Sequence, residues 1–255
     1  MGKRKKPAQP RRILILGGAA CVHADAAAAR ALCEFDAVMA CNTIIADWPE
    51  PIDYAVTLHP DKIEAWYAQR LERQPDTPPE LWVHFRRVHK PIRYAHKTTA
   101  EIGGTVGLYA VKVARELGFE RIVLAGVPID PEMQHYTGVE PWAGRGADRA
   151  ELYRIVWRSK LPELRPFVRS MSGWTAERLG MPDPVWLGLE PAPTDEEILG
   201  PERVAAIAKM KRGMRTVRKA IEAAMPADDL SALDALHAHY LTAAEHLMRR
   251  QVPKP

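Results

Sequence analysis

One stretch in the middle of the chain, residues 102–130, restricts the fold more than any other because it joins a glycine turn, a helix and a buried strand. Apolar residues recur every three or four positions over 106–117, and this spacing predicts a helix with one buried face. Gly118 follows at the position where helices commonly end in a left-handed residue. Residues 122–125 are all apolar, which is typical of a strand that is buried on both faces. A turn, a helix and such a strand in succession indicate an α/β sheet.

Short apolar runs alternate with helical patterns along the rest of residues 12–181. Further strands are predicted at residues 12–18, with a glycine turn at the end, and at residues 36–40, 53–58, 81–85 and 167–171. Residues 86–99 show no regular pattern and are expected to be irregular. Because strands that alternate with helices usually pair in parallel, we expect a doubly wound, mainly parallel, Rossmann-like α/β domain over residues 12–181.

Three other segments flank this domain. Residues 1–11 form a basic tail that we expect to be disordered, and residues 182–194 form a proline-rich linker. In residues 195–251, apolar residues step alternately by three and four in two separate runs, which predicts two helices in an antiparallel hairpin with coiled-coil-like seams. Residues 195–250 are therefore expected to mediate homo-oligomerisation or the docking of a protein partner.

Composition limits the classes of binding partner and the cellular location that we expect for the protein. A net charge of +4 over 255 residues does not by itself imply nucleic acid, so a nucleic-acid partner, supported only by two basic stretches, is the least favoured. No apolar run is long enough to span a membrane and the N-terminus lacks a signal-peptide core, so we expect no membrane span and a cytoplasmic location. The cysteines, Cys21, Cys33 and Cys41, form no CxxC pair, and we predict no metal site.

Candidate site residues follow or open the predicted elements at the carboxyl ends of the strands, where doubly wound sheets bind their ligands. They are Gly17, Gly18, Asn42, His59, Gly104, Thr105, Asp130, His135, Tyr136 and Ser172. The backbone N–H groups of the glycine turn before the central helix can hold an anion; the alternative is that these glycines only allow the helix to pack closely on the sheet. For His59, the alternative is a histidine whose hydrogen bonds are satisfied within a turn.

The order of several motifs resembles a known family. The motifs are RILILGG, FDAVMACN, IDYAVTLHP, GGTVGLYAVKVARELGFERIVLAGVPID and QHYTG. Their order resembles the Rossmann-like sialyltransferases of glycosyltransferase family 42, and it is similar to proteins of the domain-of-unknown-function 115 type, over about residues 12–180. The segment through VRSMSGWTAERLG also looks like uncharacterised open reading frames of phages and prophages. If the protein is phage-encoded, its location is the host cytoplasm or the virion.

The resemblance implies roles for individual residues. Asn42 and the turn at Gly104 and Thr105 would hold a cytidine nucleotide, so a cytidine nucleotide sugar is the implied donor substrate, with no further cofactor. Tyr136 would contact the departing phosphate. The family loop resembles His-Tyr-x-Gly-His with the general base at its last position, which in this chain is Val139.

Because valine cannot accept a proton, the base would have to be His135 or His59, with Asp130 as a weaker candidate. Two functions therefore stay open. The first is a nucleotide-sugar-binding, glycosyltransferase-like protein. The second is a non-catalytic phage or prophage structural or interaction protein that assembles through its helical hairpin.

Overall fold

The structure is a computed structural model, and it describes residues 9–84, 97–99, 104–138, 146–190 and 200–224. The chain divides into two compact units, Met1–Glu190 and Pro191–Pro255.

The first unit contains a seven-stranded sheet in the order β5-β4-β3-β2-β1-β6-β7. Its strands are β1 Arg12–Leu16, β2 Ala37–Cys41, β3 Tyr54–Thr57, β4 Glu80–His84, β5 Lys97–Thr99, β6 Arg121–Ala125 and β7 Val168–Ser170. Every neighbouring pair is parallel, so the expected doubly wound parallel sheet is confirmed. The prediction that 86–99 is wholly irregular was wrong, because β5 pairs with β4. The three residues of β5, Lys-Thr-Thr, carry no apolar pattern that could predict a strand.

Helices cover both faces of the sheet. Those in the first unit are α1 Val22–Leu32, α2 Ile44–Asp47, α3 Ile63–Arg73, α4 Val106–Glu116, α5 Gly146–Leu164 and α6 Gly173–Leu179. Alternate residues of β1 enter two separate cores: Leu14 and Leu16 join residues of α1, α2 and α3, whereas Ile13 and Ile15 join residues of α4, α5 and α6. The four apolar residues of β1, residues 13–16, are fully buried, as the continuous apolar run predicts.

The direction in which the chain winds reverses beside β1. From β1 the chain proceeds outward through β2, β3, β4 and β5, and it then returns to the opposite side of β1 as β6. Because crossovers between parallel strands are right-handed, this reversal places the later helices on the other face of the sheet. The helices that follow β1 and β6 therefore lie on opposite faces of the sheet, and a crevice forms at the carboxyl ends of these strands.

Residues 182–190 belong to the sheet unit, although the sequence predicts a linker over 182–194. Leu187 is fully buried in the core beside α1 and α3. Nε of Arg12 donates to the carbonyl oxygen of Leu187 at 2.9 Å, and Nε of Arg121 donates to that of Trp186 at 2.5 Å. Proline and glycine here shape a turn that packs on the domain, so the boundary between the units lies at residue 190.

The second unit contains α7, Pro201–Ala224, which corresponds to the first helix of the predicted hairpin. Its exposed residues include Lys209, Arg212, Arg215 and Lys219. The second hairpin helix and the first eight residues of the basic tail lie outside the described residues, and the assembly role of 195–250 stays a prediction. None of the helices in the described ranges has both the length and the apolar composition that crossing a membrane requires.

Candidate functional site

A cavity of about 410 Å³ lies at the carboxyl ends of the strands, where the winding reverses. We call it the switch-point cavity. Residues selected from the sequence line it: Gly17, Gly18, Asn42, His59, Thr105, Asp130 and His135. Its volume falls within the range of roughly 300–1,000 Å³ that is common for small-molecule sites. The structure therefore brings most of the candidate residues to one place.

Several lining residues were not selected from the sequence, and four of them carry large side chains. Lys62 and Trp66 come from the start of α3, and Tyr153 and Trp157 come from α5. Lys62 and Trp66 follow His59 by three and seven residues. Because His59 precedes a predicted helix, the first turns of that helix could have been predicted to lie at the same site. The α5 residues carried no such signal, because only the packing of α5 beside α4 brings them to the cavity.

The side chain of Asn42 is oriented by Thr57. Asn42 has a left-handed backbone with φ of 57°, a conformation that asparagine tolerates better than most residues. Oγ1 of Thr57 donates to Oδ1 of Asn42 at 2.8 Å, and the N–H of His59 donates to the same Oγ1 at 2.9 Å. Since the Thr57 hydrogen is directed to the carbonyl oxygen of the amide, the NH₂ group of Asn42 is the part left to donate to a ligand.

Thr105 begins α4 and connects it to α5. Its Oγ1 accepts the N–H of Leu108 at 3.3 Å, as an N-cap should, and it also accepts Nε1–H of Trp157 at 3.1 Å. Gly104 is not among the residues that line the cavity; a Cβ at this position would lie 3.0 Å from Val156 of α5. The close-packing interpretation therefore fits Gly104, whereas Thr105 lies at the cavity itself.

The loop that carries His135 pairs with the turn after β1. The N–H of Ala20 donates to the carbonyl of Gln134 at 2.8 Å, and the N–H of Tyr136 donates to that of Gly18 at 3.0 Å. This two-bond ladder fixes His135 opposite Ala19. A Cβ on Gly18 would lie 3.1 Å from Nε2 of His135, so a residue without a side chain lets the ring lie over the turn.

Both ring nitrogens of His135 have partners. Nε2 lies 3.1 Å from Oγ1 of Thr43, and Nδ1 lies 2.7 Å from Oγ1 of Thr137. The backbone N–H of Thr137 also points at Nδ1, at 3.4 Å, which assigns the lone pair to Nδ1 and the proton to Nε2. Burial lowers the pKa of His135 below its ordinary value, so the imidazole is neutral at pH 7.

Tyr136 is not among the lining residues of the switch-point cavity. Its hydroxyl donates to Oδ2 of Asp47 at 2.5 Å, and the ring packs against the core beside α1 and α3. Burial, reinforced by this hydrogen bond to a carboxylate, raises the pKa of Tyr136, so the phenol stays protonated. The sequence places Tyr136 in the right loop, but the structure gives its hydroxyl a partner in α2.

Asp130 and Ser172 lie near one another at the far side of the rim. Oδ1 of Asp130 accepts hydrogen bonds from Nη2 of Arg154 and from the N–H of Trp174, both at 3.2 Å. The hydroxyl of Ser172 donates to Oδ2 of the buried Asp25 at 2.6 Å. Ser172 lines a second cavity, of about 540 Å³, whose lining also includes Asp130.

Within the described ranges, no group of three or more His, Cys, Asp or Glu side chains has an arrangement suited to a metal ion. Cys21 contacts Ser172 at 3.4 Å, and burial raises the pKa of its thiol to about 11, so it is no ready nucleophile. Val139 lies outside the described residues.

Comparison of the chain with protein-family models, curated proteins and solved structures gives no match.

Proposed function

We propose that this chain binds a nucleotide or nucleotide sugar in the switch-point cavity and is a glycosyltransferase-like protein. One observation carries the proposal: Asn42, the Gly17–Gly18 turn and Thr105 at the N-terminus of α4 line the same cavity. In doubly wound sheets, this crevice is where nucleotides bind, because helix N-termini and turn N–H groups face it.

The lining groups suit the parts of a nucleotide. Lys62 adds a positive charge, and the N-terminus of the eleven-residue helix α4 adds backbone donors, both of which favour a phosphate. The NH₂ group of Asn42 donates to an acceptor such as a pyrimidine carbonyl. Trp66 and Tyr153 supply ring surface for a base or a ribose. A ligand with an acceptor-rich base and a phosphate satisfies all of these groups.

Transfer of the sugar is the chemistry that such binding serves. An acceptor hydroxyl attacks the anomeric carbon, the bond from that carbon to the phosphate oxygen breaks, and the electron pair leaves with the phosphate. The hydroxyl proton passes to a base. The Nδ1 lone pair of His135 is already bonded to Thr137, whereas the Asp130 carboxylate is fixed at the cavity edge by Arg154 and Trp174. We therefore assign proton acceptance to Asp130, and His135 can donate through Nε2–H where a ligand takes the place of Thr43.

The test is a thermal-shift and calorimetric screen of CMP, UMP, GMP and AMP, and of CMP-, UDP- and GDP-sugars, with the full chain. A ligand present at 100 times its Kd is expected to add about 2.7 kcal/mol to the free energy of unfolding. Asn42→Ala is expected to weaken binding, whereas Gln69→Ala, which removes an exposed amide from α3, is not. The absence of any shift, or equal affinities for the two variants, would contradict the proposal.

An assay for release of the sugar, run on the ligands that bind in this screen, separates binding from catalysis. Release of free sugar from a bound nucleotide sugar, lost in Asp130→Asn with binding retained, supports transfer. Binding without any turnover in the presence of acceptors supports a nucleotide-binding protein that has lost the reaction.

A further inference from the structure

The second cavity adjoins the switch-point cavity. The two share Ala19, Asp130 and Met133 as lining residues, so they meet at these three positions. The shared carboxylate is held in place, because Oδ1 of Asp130 accepts from Arg154 and from the Trp174 N–H. A molecule in the second cavity therefore has one end beside the cavity that we assign to the nucleotide.

The wall between the two cavities is the ladder that joins the turn after β1 to the loop after β6. Side chains alternate across such a ladder, so that neighbouring residues face opposite sides. His135 accordingly lines the switch-point cavity, whereas the preceding Gln134 lines the second cavity. Ala20 lines the second cavity only, and its small side chain leaves that side of the wall open.

The two cavities differ in charge. Beside the shared Asp130, the switch-point cavity carries Lys62, a cation that can pair with an anionic ligand. The second cavity carries Asp130 and Glu132, and none of its described lining residues is a lysine or an arginine. An anionic ligand is therefore disfavoured there.

The polar and apolar groups of the second cavity suit a hydroxyl-bearing ring. Carboxylates can accept hydrogen bonds from neighbouring hydroxyls, and the amide of Gln134 can both accept and donate them. Pro128, Met133 and the alanines of the wall supply apolar surface for the carbon face of such a ring.

We propose that the second cavity is the acceptor site of this protein and that it binds a neutral polyhydroxyl molecule, a carbohydrate. This inference rests on the proposed function, because the acceptor hydroxyl must reach the sugar of the donor beside Asp130. The proton of that hydroxyl then passes to Asp130 as the new carbon–oxygen bond forms.

The proposal is tested by saturation-transfer NMR with the full chain and two probes of nearly equal size, neutral lactose and anionic lactobionate. Ala20→Phe fills the second cavity, and Ala24→Phe adds the same ring at an exposed position of α1 that lines neither cavity. Lactose is expected to give a signal with the wild type and with Ala24→Phe, and to lose it with Ala20→Phe. Lactobionate is expected to give a signal only after Glu132→Lys reverses the charge of the exposed Glu132.

CMP binding, measured on the same proteins, reports the switch-point cavity separately. No lactose signal, a signal that survives Ala20→Phe, or lactobionate binding by the wild type would overturn the acceptor site. Lactose binding that behaves as expected in a protein that binds no nucleotide would instead overturn the proposed function while leaving a carbohydrate site in the second cavity.

Discussion

The hydroxyl of Thr57, which is fully buried, donates a 2.8 Å hydrogen bond to Oδ1 of Asn42 across the adjacent ends of β3 and β2. The N–H of His59 donates to the same hydroxyl oxygen, so one threonine fixes both the amide of Asn42 and the start of the loop that carries His59. Two candidate site residues that follow different strands therefore depend on a third residue that does not itself line the cavity.

Replacing Thr57 by valine is expected to weaken nucleotide binding, because the Asn42 amide can then rotate and present its oxygen to the ligand. A net hydrogen bond contributes about 0.5–1.5 kcal/mol, so Kd should rise roughly two- to tenfold. The free energy of unfolding should also fall by about 0.5–1.5 kcal/mol, since the hydrogen bond from the His59 N–H to the Thr57 hydroxyl is lost.

Calorimetry with Thr57→Val and Thr57→Ser distinguishes this role from simple packing. Serine keeps the hydroxyl and loses one buried methyl group, worth about 0.8 kcal/mol of stability. If Thr57→Ser and Thr57→Val bind nucleotide equally, the hydroxyl does not orient Asn42.

The outcome at Asn42 illustrates what sequence can and cannot predict here. Apolar runs of four to six residues predict strands because burial on both faces demands them, and strand ends then locate Asn42 and His59 at one rim. The sequence pattern does not identify Thr57 as part of the site, because threonine is an ordinary strand residue. The pattern does not identify Trp157 either, since its position at the cavity depends on how α5 packs against Thr105.

At the segment around Leu187, the sequence predicts a linker where the structure has a packed turn. Its prolines and glycine suggest a linker, yet a single buried leucine and two arginine–carbonyl hydrogen bonds hold it on the sheet unit. Local composition cannot reveal partners that lie 65 and 175 residues earlier in the chain.

Burial of His135 predicts a dependence of stability on pH. The pKa of His135 is lowered in the folded protein, so below its ordinary value near 6.5 the unfolded chain binds the proton more readily. The free energy of unfolding is therefore expected to fall as the pH drops from 6.5, by at most about 1.4 kcal/mol per pH unit for this one proton.

Urea unfolding between pH 5 and 8 measures this effect, with His135→Gln as the reference that cannot titrate. The difference between the wild type and the variant should be constant above pH 7 and change below 6.5. A difference that stays constant down to pH 5 would show that the neutral imidazole is not favoured by burial.

Gly173 is expected to tolerate no side chain, because it sets the position of Asp130. Its φ is +63°, and a Cβ would overlap the Pro128 ring and Oδ2 of Asp130. Gly173→Ala should lower the free energy of unfolding by about 1–2 kcal/mol through the backbone alone, and by more through the overlap. Gly138→Ala is a matched control, since φ is +73° there but a Cβ would meet nothing within 4 Å. Equal losses of stability in urea unfolding would mean that Pro128 and Asp130 both move aside without cost.

The boundary between the two units leads to a prediction about shortened chains. A chain of residues 1–190 ends where the first compact unit ends, so we expect it to fold with the stability of that unit. A chain of residues 1–181 loses the buried Leu187, which contributes about 1.5–3 kcal/mol, and two hydrogen bonds to arginine of about 1 kcal/mol each. It also exposes the core beside α1 and α3, which Leu187 covers.

Urea unfolding of the two shortened chains measures the contribution of residues 182–190, and light scattering measures their molar mass beside that of the full chain. Residues 1–190 should unfold cooperatively, whereas residues 1–181 should unfold at a clearly lower urea concentration. If 195–250 drive assembly, the full chain should have a multiple of its single-chain mass and residues 1–190 should be monomeric. Equal stability of the two shortened chains would show that residues 182–190 do not stabilise the sheet unit. A monomeric full chain would show that the second unit does not mediate assembly.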